Sequence, residues 1–89
     1  MGRYRIFFRK SVSRDVRRIP KQDLQRILAA IDRLSENPRP PNSEKLSGLE
    51  RYRLRQGIYR VIYEIDDDKV IIIVVKIGHR KDVYRRAHD

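Results

Sequence analysis

Two hydrophobic periods divide the chain. Leu24, Ile27, Leu28, Ile31 and Leu34 recur at i, i+3, i+4 and i+7, the spacing of a helix with one buried stripe. Pro20 suits the first turn of that helix, and Asn37-Pro38 stops it. Upstream, Tyr4 to Arg9 (YRIFFR) is aromatic and β-branched enough for a strand. Val12, Val16 and Ile19 then fall at helical spacing and predict a short first helix, broken from the second near Ile19-Pro20. Arg17, Lys21, Gln25, Arg33 and Glu36 occupy the other side of this hairpin, so its apolar stripes need a surface to pack on.

Asn37 to Ser47 (NPRPPNSEKLS) carries three of the four prolines and reads as an extended connection. After it the period becomes that of a strand. Arg51 to Gln56, Ile58 to Ile65 and Lys69 to Ile77 are β-rich runs separated by Gln56-Gly57 and by Asp66 to Asp68, which predicts an antiparallel meander. The order is β-α-α-β-β-β with a short C-terminal tail or helix: an α+β fold, its helical hairpin packed on one face of an antiparallel sheet. With 89 residues and no internal repeat, residues 1–89 are expected to form a single domain.

Alternation puts Arg51, Arg53 and Arg55 on one face of their strand and Tyr52 and Leu54 on the other, toward the helices. A two-residue turn at Gln56-Gly57 would set Arg53 opposite Arg60, a like-charge pair that destabilises a sheet unless an anion arrives. On this face alternation places only Glu64, with Glu50 beside it, to neutralise the pair. A three-residue loop at Asp66 to Asp68 would bury Ile71, Ile73, Val75 and Ile77 and add Lys76 and Arg80 to the arginine face. A two-residue loop would reverse this and press Lys76 against the helices, so the three-residue register costs less and is the one expected.

Charge sharpens the picture. Lys and Arg number 22 against 12 acidic residues, net +10, and most of the 22 are arginine. The planar guanidinium binds phosphate in a two-pronged way and stacks on bases, which favours nucleic acid or an acidic protein as partner over a merely solvated basic face. No cysteine is present, so disulfide frameworks and cysteine-ligated metal sites are excluded, and two histidines among scattered carboxylates suggest no metal cluster and no cofactor. The longest apolar run, Val70 to Val75, is too short to span a bilayer, and MGRYRIFFRK does not look like a signal peptide. A cytoplasmic protein without membrane partners is expected.

The ordered set of pieces from Lys45 to Arg85 resembles a known family. KLSG, a basic strand RYRLR, the strand GIYRVIY, an apolar strand, and the ending GHRKDVY look like the C-terminal half of RelE-type toxins of the RelE/ParE superfamily. The helical hairpin before it agrees in length and order. The resemblance implies a type II toxin held inactive by a cognate antitoxin, contacting operator DNA only through that antitoxin. It also implies metal-independent cleavage of mRNA in the ribosomal A site, by attack of a ribose 2′-hydroxyl on the adjacent phosphorus. Carried over by position, it assigns Arg53, Arg55, Arg60, His79, Arg80 and Tyr84 to catalysis, with Lys45, Arg51, Lys76 and Lys81 expected to contact RNA around them.

That chemistry needs a base, an acid and cations for the charge on the phosphorane. Arginine supplies the cations and stays protonated, so where relatives carry lysine at the positions of Arg53 and Arg55 this chain departs from the pattern. Histidine is the side-chain type that ordinarily exchanges protons near neutral pH, which makes His79 the substitute base, with Gly78 as the bend that brings it toward Arg60 and Arg80. Tyr84 is left to stack on a base, orient the phosphate or act as the acid. Tyr52, Tyr59 and Tyr63 read as core residues, and His88 as solvated. Two rival readings share the sheet: a ParE-type toxin that inhibits DNA gyrase without cleaving RNA, and a basic RNA-binding module without chemistry.

Overall fold

The computed structural model describes residues 3–46 and 50–81. The elements are β1 (Arg5–Phe8), α1 (Val12–Val16), α2 (Lys21–Leu34), β2 (Ser43–Lys45), β3 (Arg51–Gln56), β4 (Tyr59–Asp66) and β5 (Ile71–His79). They form one five-stranded sheet in the order β1-β5-β4-β3-β2, with the helical hairpin on one face. The expected β-α-α-β-β-β order holds, with two additions. The proline-rich connection supplies a short edge strand, β2, antiparallel to β3, and β1 runs parallel to β5. The sheet is therefore mixed. A parallel neighbour needs a crossover, and the helical hairpin and meander between β1 and β5 provide it.

Pro20 sits one position before α2, at ψ 143°, and its carbonyl accepts the first helical bond from the Leu24 amide at 2.9 Å. Ile27, Ala30, Ile31 and Leu34 of α2 join Val12 and Ile19 in packing against Tyr52, Leu54, Val61, Tyr63, Ile72, Val74 and Ile77. Leu28, at the margin of the stripe, stays exposed. Tyr52 and Tyr63 stack at 5.7 Å inside this core, as alternation requires, and the Tyr63 hydroxyl donates to the Pro38 carbonyl at 2.6 Å.

Both hairpin registers differ from expectation. The β3–β4 turn is Gly57-Ile58 rather than Gln56-Gly57, because Gly57 at φ 60° takes the first central position, where a two-residue hairpin turn of type II′ demands positive φ. Pairs shift but faces do not: Arg60 lies opposite Arg55 instead of Arg53, and Arg51 lies opposite Glu64. The β4–β5 loop spans four residues, 67–70, with Val70 at φ 57°. An extra loop residue inverts the phase, so Ile72 and Val74 are buried where Ile71, Ile73 and Val75 were expected. A bulge then sets Ile62 opposite Lys76 immediately after Tyr63 opposite Val74, which restores the expected phase for Ile77.

Candidate nucleic-acid interface

The sheet face turned away from the helices carries Arg51, Arg53 and Arg55 on β3 and Arg60, Ile62 and Glu64 on β4. Its two ends are electrostatically unlike. At one end the Arg51 Nε donates to Glu64 at 2.8 Å, and Arg9 reaches the same carboxylate oxygen at 3.5 Å. Arg53 is paired with Glu44 on the neighbouring β2 strand. At the other end Arg55 and Arg60 face one another, and among the described residues neither forms an ion pair.

Arg60 is 8 % exposed, and its Nη1 donates to the Gly57 and Tyr59 carbonyls, both at 2.8 Å. Its Nε is buried and makes no hydrogen bond among the described residues. Carbonyl dipoles orient a guanidinium without cancelling its charge, so Arg60 is a fixed, largely desolvated cation, an arrangement costly unless an anion completes it. Gly78 is the partner of Arg60 on β5, so no side chain stands directly across from it there. Arg80 lies just beyond β5, with its amide donating to the Ile58 carbonyl at 2.8 Å, which ties that backbone to the turn preceding Arg60. Asn42 clamps the same end, bonding the Arg55 carbonyl through its side chain at 2.8 Å and the Arg55 amide through its carbonyl at 2.9 Å.

His79 does not join this group. Gly78 lies within β5 rather than bending it, so alternation leaves His79 paired with Tyr59, their rings edge to face at 6.5 Å. Its Nδ1 accepts the Lys81 amide at 3.2 Å, so the neutral ring carries its proton on Nε2 and presents a donor. The expected move toward Arg60 does not occur, because regular pairing through Gly78 fixes the phase. Burial, and then the Asp23 carboxylate, push the neighbouring Tyr59 phenol up, and its hydroxyl donates to Asp23 at 3.3 Å.

Lys76 is likewise drawn away from the arginines, its Nζ 3.0 Å from Asp15 on α1. Lys45 pairs with Glu50 in solvent, and Lys81 is exposed. Tyr84 lies outside the described residues. A groove of about 550 Å³ at the far end is lined by Glu50, Glu64, Asp66, Asp67 and Asp68, the wrong sign for a polyanion. Beside it the Arg39 guanidinium, then the Tyr4 hydroxyl, hold the Asp67 carboxyl below the usual carboxylate range. Among the described residues no group of three or more His, Cys, Asp or Glu side chains is placed to hold a metal ion, and no helix is long and apolar enough to cross a membrane.

Glu44 and Asp15 were not foreseen from sequence. Glu44 sits in the stretch read as an extended connection, and Asp15 on the short first helix; neither carries a local signal of its partner.

A basic sheet with one end uncompensated among the described residues suits an anionic ligand. The model for the ParE toxin of the type II toxin-antitoxin system parDE matches residues 6–84. The chain belongs to this toxin family. Toxin RelG of Mycobacterium tuberculosis is 31% identical over 87 residues, covering 93% of this chain and 98% of its own. The mRNA interferase toxin RelE of Escherichia coli is 26% identical over 89 residues, covering 94% and 93%. The RelE–RelB complex of the archaeon Pyrococcus horikoshii contains a chain with a TM-score of 0.78 and 32% identity, covering 86% of this chain and 94% of that one. The toxin is thus RelE-like in sequence and in fold.

Proposed function

We propose that this toxin is a metal-independent endoribonuclease that cleaves mRNA in the ribosomal A site and so stops translation. The observation that carries the reading is the Arg55–Arg60 end of the sheet, where two opposed arginines lack a carboxylate among the described residues while Arg51 and Arg53 each have one. A scissile phosphate is the kind of ligand that would relieve this repulsion. Attack by the 2′-hydroxyl gathers negative charge on the phosphorane oxygens, and Arg55, Arg60 and Arg80 are the cations to receive it. Arg60 contributes most in this account, because carbonyls hold its guanidinium in place before substrate binds.

Proton transfer divides differently from the sequence expectation. A base role for His79 would require moving the proton from Nε2 to Nδ1, which would forfeit the Lys81 contact. His79 is better placed to donate a hydrogen bond than to abstract the 2′-hydroxyl proton, and Tyr84 keeps the roles proposed for it from sequence: stacking on a base, orienting the phosphate or acting as the acid. The name mRNA interferase carried by the Escherichia coli relative supports mRNA as the target. The partner proposed for the resting state is a RelB-type antitoxin, as in the Pyrococcus horikoshii complex, and the working compartment is the cytoplasm.

The test adds purified toxin to programmed ribosomes and maps mRNA 5′ ends by primer extension. Cuts within the A-site codon, lost in Arg60→Ala, are expected. The family model is described by its ParE member, so the same preparation is assayed against DNA gyrase; inhibition of supercoiling without mRNA cuts would replace the ribonuclease reading.

A further inference from the structure

The bulge on β5 decides what lies across from Arg60, and one side chain on α1 contacts the residues just beyond it. If Tyr63 opposite Val74 were continued without offset, Val61 would face Lys76, Arg60 would face Ile77, and Tyr59 would face Gly78. That register would press an ammonium onto the core beside Val61, which is fully buried, and would set the Ile77 side chain opposite the guanidinium of Arg60. The observed offset avoids both outcomes. β1, however, pairs with β5 only as far as Val74, so backbone groups of β5 beyond it on that side need other partners.

Asp15 answers both needs. Its Oδ1 lies 3.0 Å from the Lys76 ammonium, and its Oδ2 accepts the Ile77 amide at 3.1 Å. The Asp15 side chain is 9 % exposed and that of Lys76 is 19 %, so this is a largely desolvated clasp rather than a surface ion pair. Its position at one end of the five-residue α1 makes it an anchor between that short helix and the sheet.

We propose that Asp15 is a positioning residue for cleavage: by binding Lys76 and the Ile77 amide together it fixes the bulge that puts Gly78, and not a side chain, opposite Arg60. This rests on the ribonuclease reading for its consequence, though its structural half does not. Lys76 enforces the register from the other side, because its charge is what makes the unbulged alternative expensive.

Two variants test the assignment. Lys76→Leu removes the charge that forbids the unbulged register and substitutes an apolar side chain suited to the core, so it is expected to stay folded, lose the Arg60–Gly78 cross-strand NOE and gain one between Arg60 and Ile77. Its A-site cleavage should fall roughly tenfold to hundredfold in turnover with ribosome binding little changed. Asp15→Asn keeps one acceptor for the Ile77 amide and should lose less than Asp15→Ala, a graded rescue that a purely structural role in α1 would not produce in turnover. The proposal is overturned if Lys76→Leu keeps the Arg60–Gly78 NOE, or if it shifts register and still cleaves at the wild-type rate. Wild-type protein that cuts no mRNA would sink the ribonuclease reading instead, while the NOE comparison would still decide whether Lys76 sets the register.

Discussion

One sheet face ends in two different ways. Toward the β4–β5 loop, each arginine has a carboxylate: Arg51 and Arg9 share Glu64, and Arg53 takes Glu44. Toward the Gly57-Ile58 turn, Arg55 and Arg60 oppose one another across the strands, and the charge of Arg60 is met only by carbonyl dipoles among the described residues. The strands, the residue type and the face are the same, so the difference is not one of fold. Compensated arginines hold strands together, with their charge already met by a carboxylate. Uncompensated ones keep a repulsion that folding does not need, which marks the place where an anion is expected.

Breaking the uncompensated end should have the largest effect. Arg60→Ala is expected to lower the A-site cleavage rate by about 10²- to 10³-fold, the range found when one preorganised charge-stabilising donor is removed. Arg55 is more exposed, so Arg55→Ala should lower it about tenfold. The same change should raise stability by roughly 0.2–0.5 kcal/mol by removing a like-charge pair, read as a higher denaturation midpoint. A variant both weaker in cleavage and less stable would contradict this view of Arg55.

Altering the compensated end should sharpen the contrast from the other side. Glu44→Gln deletes the carboxylate opposite Arg53 and should tighten binding to single-stranded RNA a few-fold, with a steeper dependence on salt. An unchanged salt slope would mean that Arg53 does not reach the RNA. The smallest effect lies beyond that end. Asp67 has a depressed carboxyl because of Arg39 and Tyr4, so its contribution is present at neutral pH and lost as pH falls through and below the usual carboxylate range of about 4. Melting temperatures measured from about pH 6 down to about pH 2 should decline less in Asp67→Asn than in wild type. Parallel curves would show that the contact contributes nothing.

These contrasts also show what the chain reveals before it folds. Helix α2 and the inward set Tyr52, Leu54, Val61 and Tyr63 follow from periods of 3.6 and 2, which depend on neighbours in sequence. The arginine face follows for the same reason, and it survived a register error because the pairing moved by two residues, an even number that leaves each side chain on its face. Individual partners did not survive: Arg60 found Arg55 instead of Arg53, since the placement of one glycine at positive φ settles the pairing. On β5 the burial phase came out inverted for Ile71, Ile73 and Val75, because a fourth loop residue and a bulge are tertiary choices that no local period encodes.

The candidate site was legible to the same degree. Arg60 was marked by alternation and by resemblance, and its buried, dipole-held guanidinium supports the assignment. His79 was marked by resemblance and by residue type, and the structure gives it Tyr59 and the Lys81 amide as neighbours, because the phase of a strand decides its direction more strongly than the chemistry of the side chain does. Lys76 was read as part of the RNA surface, whereas its partner Asp15 lies 61 residues away in sequence, beyond any local pattern.

The most direct measurement compares Arg60→Ala with Arg51→Ala in single-turnover cleavage on programmed ribosomes, with circular dichroism confirming that both fold. The account predicts a loss of at least about a hundredfold for Arg60→Ala and no more than about threefold for Arg51→Ala, whose charge is already satisfied by Glu64. Equal losses in the two variants would contradict the division between compensated and uncompensated arginines.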